Sequence, residues 1–190
     1  MGMKRLFGIA AAALLTATLA HAMDDVMMSQ GRAPDSTRKI MTELRDAERR
    51  KIPLEVAIKA RARYNINESV PVTITVTNLF DPPLLLNSRM LVNHRLLAGE
   101  ISFLITDPTG KRCEFQRLVS PRAVADEDFV LLARGMSIQR TVDLADYFNL
   151  SRKGTYKVQV LYRNQYDQMM NGTRAWLGIV PSDVNEIEIR

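Results

Sequence analysis

The sequence predicts an all-β fold, an antiparallel sandwich of about seven or eight strands, and three observations lead to this prediction. First, the stretch Ser69–Asn78 alternates aliphatic residues with Pro or Thr from position 70 to 77, which is the two-residue period of a half-buried strand. Second, similar short runs recur along the chain with turn residues between them. Third, no long helical pattern separates these runs, as βαβ units would require.

The strands expected in the first half are bounded by turn residues. Leu54–Ala60 predicts a strand with one face in solvent, and Asn65–Glu68 turns the chain into the central strand. The prolines of Asp81–Pro83 end that strand, and short strands are expected at 84–86 and 101–105.

The next segment predicts a hairpin. Asp107–Gly110 forms its turn, because Pro presets φ and Gly adopts a left-handed conformation. We expect 111–118 to return as the partner strand.

The second half is predicted to contain a second clear core strand. Tyr156, Val158, Val160 and Tyr162 share one parity and mark that strand. Arg140 shares the parity of apolar neighbours, which predicts a bulge or an edge where its head reaches water. The remaining expectations are a turn at 133–135, one helical turn within 145–150, a long polar loop at 164–174, and a last hairpin from Trp176.

The N-terminus has the pattern of a secretory signal peptide. Lys4 and Arg5 precede an apolar run that is too short to span a membrane, and Ala20 and Ala22 supply the small residues of a cleavage site. We therefore predict three parts: a signal peptide at 1–22, a polar and charged segment at 23–53 with a possible short helix, and a sandwich domain at 54–190. The protein is expected to be exported, either periplasmic or secreted, with no transmembrane segment after signal cleavage.

Charge, cysteine and histidine exclude several functional classes. Cleavage removes two of the 26 basic residues and leaves 24 against 21 acidic ones, a net charge of +3 that is evenly spread and argues against nucleic-acid binding. Cys113 is the only cysteine, so we expect either an unreactive, partly buried thiol or a disulfide that joins two chains. His94 is the only histidine after cleavage, which is too few for the usual zinc sites. We expect no metal site, no cofactor and no enzymatic activity.

The acidic run Asp126–Asp128 allows two interpretations. Three adjacent carboxylates suggest calcium, but their side chains diverge instead of surrounding an ion, which favours a solvated loop. Asp126 and Asp128 are also the best carboxylate pair for acid–base catalysis. Neighbours in a mobile loop lack the fixed geometry that such catalysis needs, so we do not predict it.

Several motifs of the second half resemble a known module. They are 128–132, Gly135, 142–144, Tyr147, Leu150 and Gly154–Val158, together with 76–78, 176–178 and Ser182. This order resembles an immunoglobulin-like β-sandwich module of exported bacterial proteins, similar to the N-terminal accessory domain of deuterolysin-type metalloendopeptidases. The resemblance covers about 54–189, and Arg134 stands where a Pro before the Gly is usual.

The resemblance implies a fold and export, and no activity. The catalytic domain of the peptidases has no counterpart in the sequence, so no catalytic residue is carried over. A Gly-x-Tyr before a core strand also resembles a tyrosine corner, in which the hydroxyl of Tyr156 ties one corner of the sandwich.

The functional hypothesis is a non-enzymatic binding module for an unknown protein or envelope ligand. Loops at the ends of a sandwich commonly carry recognition, and Phe80, Tyr166, Met169 and Met170 are the candidate binding residues on such loops. The same loops are also consistent with ordinary variable connections. The alternatives are a secreted proteinase inhibitor and a structural subunit of an envelope or secreted complex.

Overall fold

The computed structural model describes residues 53–93, 99–117 and 122–190, and these residues confirm the all-β sandwich class. The predicted signal peptide, the charged segment apart from Pro53, and His94 lie outside the described residues. Within the described ranges, no helix is long and apolar enough to cross a membrane.

Ten strands are described, and they begin and end as follows: β1 Leu54–Lys59, β2 Arg63–Tyr64, β3 Pro71–Asn78, β4 Leu84–Asn87, β5 Ile101–Thr106, β6 Phe129–Leu132, β7 Ser137–Asp143, β8 Gly154–Asn164, β9 Gly178–Pro181 and β10 Asn185–Ile189. Two single 3-10 turns, Asp126–Asp128 and Leu144–Asp146, precede β6 and follow β7. The second of them is the short helical turn expected near residue 145.

The strands form three sheets. One sheet has the order β1-β3-β7, with Val76 opposite both Val56 and Ile138. The second has the order β2-β10-β8-β5, and the long strand β8 pairs with β9 beyond its pairing with β10. A third sheet contains β4 and β6. All described strand pairs are antiparallel except β10 with the two-residue strand β2.

The alternating residues of the central strand point into the core, as predicted. The aliphatic side chains of β3 are buried, and the threonines between them are partly exposed. They share one hydrophobic cluster with Tyr156 and Val158 of β8 and Ile187 of β10. Alternation therefore selects the core face of β3, because successive residues of a strand point to opposite sides. Strand β8 alternates only at its start and is buried on both faces from Val158 to Asn164.

Turn chemistry is also confirmed at two positions. Gly110 has a φ of 84° and closes the turn by donating its N–H to the Asp107 carbonyl at 2.9 Å. The hydroxyl of Tyr156 accepts a hydrogen bond from the backbone N–H of Arg152 at 3.1 Å, which is the upstream tie expected of a tyrosine corner.

One local prediction is wrong, and another is confirmed in one of its two alternatives. The segment after Gly110 does not return as a strand in its described part, where only isolated bridges join Arg112 to Thr106 and Phe115 to Phe148. Arg140 makes no bulge, since β7 keeps an unbroken register with β3, but β7 is an edge strand, which was the other alternative. The partly exposed guanidinium of Arg140 donates to the carbonyls of Arg89 and Met90 at 2.9 and 3.1 Å.

Candidate functional site

The predicted polar loop at 164–174 is an ordered hairpin. Backbone N–H groups of Met169 and Gly172 donate to the carbonyls of Thr173 and Met169 at 2.8 and 3.0 Å. An isolated bridge joins Gln168 to Arg174 below this tip. The sequence shows mostly polar residues here, and the pairing arises because the two arms face each other across a tight turn.

The hairpin exposes some of the predicted binding residues and covers one of them. Met170 at the tip has 85% of its surface exposed, and Tyr166 has 38%. Met169 is partly buried. Leu177, which follows the hairpin, is 55% exposed and was not a candidate. We call Tyr166, Met170 and Leu177 the hairpin surface.

A carboxylate fixes the tip of the hairpin to the rest of the domain. The backbone N–H of Met170 donates to Oδ1 of Asp126 at 2.6 Å. Asp126 begins the 3-10 turn that leads directly into β6. The tip is therefore attached to a strand that is more than thirty residues away in sequence.

The acidic run is not the solvated loop that was expected. Asp128 is buried, and its carboxylate accepts from both terminal nitrogens of Arg122 and from the Ala125 N–H, the latter at 2.9 Å. Partial burial raises the pKa of Asp128, but these hydrogen bonds and the charge of Arg122 outweigh it and hold the pKa below its usual value. The run therefore forms a structural turn in which Asp128 faces inward.

A second buried carboxylate lies next to this turn. Glu100 accepts from Nη2 and Nε of Arg89 at 2.5 and 3.1 Å, and from the Leu91 N–H at 2.9 Å. Arg89 also donates to the Arg122 carbonyl at 2.6 Å, which connects the two ion pairs. Sequence reasoning missed this network, because Glu100 stands in no motif and its partner is eleven residues away.

The network includes a buried tyrosine. The hydroxyl of Tyr162 donates to the Asn87 carbonyl at 2.8 Å. Burial, with a smaller contribution from the charge of Glu100, raises the pKa of Tyr162. Asn87, Glu100 and Tyr162 therefore support the β4–β6 sheet and offer no reactive group to solvent.

The structure places Phe80 apart from the hairpin surface. Phe80 is 44% exposed, and its N–H donates to the side-chain oxygen of the buried Asn78 at 2.8 Å. Asn78 also donates to the carbonyl of Leu132, the last residue of β6, whereas Met170 contacts the turn before the first residue, Phe129. The candidate residues therefore lie at opposite ends of β6.

Cys113 borders a small recess on another part of the domain. The recess has a volume of about 130 Å³ and is lined mainly by polar groups, among them Asp107, Arg152 and Tyr156. Burial and, less strongly, the charge of Asp107 raise the pKa of the Cys113 thiol, which disfavours the reactive thiolate. The thiol is partly buried, as predicted. Among the described side chains, no three His, Cys, Asp or Glu residues are grouped to hold a metal ion.

Comparison with known proteins does not assign a family. No protein-family model and no curated protein matches the chain. Three solved structures have low similarity: an Escherichia coli alpha-2-macroglobulin fragment from domain MG7 to the C-terminus (16% identity, TM-score 0.39), a Listeria innocua beta-glucosidase (16%, 0.33) and the Pseudomonas fluorescens alkylpurine DNA glycosylase AlkC (14%, 0.34). The matches cover 73%, 72% and 73% of this chain but only 16%, 16% and 30% of those chains. Similarity at this level says nothing about function.

Proposed function

We propose that the domain is an exported, non-enzymatic binding module that contacts an unknown protein or envelope ligand through the hairpin surface. One observation carries this proposal: Met170 is 85% exposed at the tip of a hairpin whose position is fixed by its own backbone hydrogen bonds and by Asp126. A large apolar side chain that is held out into water is available for burial by a partner.

Two properties of the hairpin surface suit recognition. A tip that is already ordered loses less conformational entropy on binding than a flexible loop does. Met170 adds an adaptable, polarisable side chain, and Tyr166 adds an amphipathic ring of the kind enriched at interfaces.

The non-enzymatic part of the proposal has separate support. The buried carboxylates Glu100 and Asp128 both accept several hydrogen bonds from arginine and backbone groups. They therefore serve as hydrogen-bond acceptors that hold the fold together. The proteinase-inhibitor and structural-subunit alternatives stay predictions.

Affinity capture with hairpin variants tests the proposal. The mature chain from residue 23 serves as bait against periplasmic extract and culture medium, beside a variant that combines Tyr166→Ala and Met170→Ala. Val184→Ala is the matched control, because Val184 is also an exposed aliphatic residue (40%) but lies between β9 and β10. We expect the hairpin variant to lose the captured partner and the control to retain it. Equal capture by both variants, or no reproducible capture by the parent, contradicts the proposal.

A further inference from the structure

The outer edge of β6 presents unpaired backbone groups. Ser88 donates its N–H to the Asp128 carbonyl at 2.6 Å, and these two residues continue the register of β4 with β6. Hydrogen-bonded and non-hydrogen-bonded pairs alternate along an antiparallel ladder, so the N–H and C=O of Leu131 point away from β4. Neither group has a hydrogen-bond partner within the described part of the chain.

The side chains of β6 do nothing to block this edge. Its four residues are all apolar, and Leu131 is 65% exposed. The edge strands of the first sheet carry charged residues instead, such as Glu55 and Lys59 on β1 and Arg140 on β7. Charges on an edge strand discourage pairing with another chain, and β6 lacks this protection.

The charged residues that flank β6 would attract those of a second copy of β6 in only one orientation of the two strands. Glu127 precedes the strand and Arg134 follows it; both are exposed, and neither forms an ion pair with a described residue. If a second copy paired in antiparallel fashion, the acidic end of each strand would meet the basic end of the other. Parallel pairing would bring like charges together.

We propose that two copies of the chain associate through antiparallel pairing of their β6 strands. A two-fold axis near Leu131 lets its N–H and C=O pair with those of the partner subunit's Leu131, and it brings Glu127 close to Arg134 of the partner subunit on both sides. The edge has only four residues, so the buried area is small and the association is weak and concentration-dependent. The proposal goes beyond the binding function, which uses other residues.

Charge exchange provides the test. Sedimentation velocity is measured over a wide concentration range with Cys113→Ser as the parent, so that no disulfide can join two chains. We expect a reversible monomer–dimer equilibrium. Glu127→Arg and Arg134→Glu, each alone, should weaken it at least about tenfold, because like charges then face each other at both ends.

Recovery of dimerisation, on mixing the two single variants or on combining their substitutions, distinguishes the proposed geometry from a general charge effect. An equimolar mixture of the two single variants should dimerise like the parent, and so should the double variant, because each again pairs opposite charges. Leu131→Lys should abolish the dimer, and circular dichroism should show that all variants remain folded. A parent that is monomeric at every concentration, or single variants that are not rescued by mixing, overturns the proposal. Neither result bears on the hairpin, which is tested by capture.

Discussion

Arg89 and Glu100 form a two-point ion pair inside the domain, with nitrogen–oxygen distances of 2.5 and 3.1 Å and side-chain exposures of only 7% and 0%. The pair joins the segment after β4 to the start of β5, and through the Arg122 carbonyl it reaches the turn before β6. The free-energy cost of removing a charge from water is offset only while its partner and its hydrogen bonds remain in place.

Removing one charge of this pair should therefore destabilise the domain strongly. We expect Glu100→Gln to lower the free energy of unfolding by about 3–5 kcal/mol, because Arg89 is then left buried without a counter-charge. Urea unfolding followed by circular dichroism measures the loss. Glu188→Gln is the matched control: it weakens the exposed ion pairs of Glu188 with Arg63 and Arg190, and it should cost far less because water screens both pairs. Equal losses in the two variants would contradict a structural role of the buried pair.

Asp143 should make stability depend on pH. Partial burial raises its pKa, but hydrogen bonds from Ser69, the Val70 N–H and the Ala145 N–H outweigh this and lower the pKa. A lowered pKa in the folded state means that the stabilisation is present above the unfolded pKa of about 3.9 and is lost as the pH falls through the folded value.

The matching variant is Asp143→Asn. We expect its free energy of unfolding to be lower than that of the parent by about 1–2 kcal/mol at neutral pH, because hydrogen bonds to a charged acceptor become hydrogen bonds to a neutral one. The difference between parent and variant should shrink in unfolding measurements that step downward from pH 5. A difference that stays constant down to the acid transition would show that the carboxylate charge does not contribute.

Gly154 should be the turn glycine whose replacement by alanine destabilises the domain most. Its φ is 128°, and a Cβ there would lie 2.7 Å from the Cβ of Pro108. Gly154→Ala therefore adds a steric clash to backbone strain, and we expect it to lower the free energy of unfolding by about 2–4 kcal/mol. Gly110→Ala is the control. The φ of Gly110 is 84°, but a Cβ there would have no atom within 4 Å, so we expect only the backbone strain, a loss of about 1–2 kcal/mol in the free energy of unfolding. Similar melting temperatures for both variants would contradict the clash.

Asp126 should determine the order of the hairpin tip. Asp126→Ala removes the acceptor of the Met170 N–H, so we expect faster amide hydrogen exchange at Met170 with little change at the core strands. Asp126→Asn keeps a side-chain oxygen and should preserve much of the protection. Glu127→Ala, at the exposed neighbouring position, should leave exchange unchanged. Exchange at Met170 that is insensitive to Asp126→Ala would show that the hairpin orders itself.

Some positions in this protein could be predicted from local sequence, and others depend on how the strands pair. Alternation places the aliphatic side chains of β3 in the core, because strand geometry itself has a period of two. The same period marks Tyr156 and Val158 of β8 but does not reveal that both faces of this strand are buried from Val158 onward. Phe80, Tyr166 and Met170 are exposed, as expected for residues on turns, but only the register of β6 shows that Phe80 lies at the other end from the hairpin tip. Met169 is partly buried beside the exposed Met170, and nothing in two adjacent methionines tells which one is the more exposed.

The β-rich class, the central strand, the turns at Gly110 and Gly135 and the hydrogen bond of Tyr156 could be predicted from local sequence, because each depends on residues close together in the chain. The polar features could not be predicted in this way. The inward position of Asp128, the Arg89–Glu100 pair and the contact of Met170 with Asp126 depend on which strands become neighbours. A charged residue shows no periodicity that reveals its partner, and burial becomes favourable only when folding brings that partner within hydrogen-bonding distance.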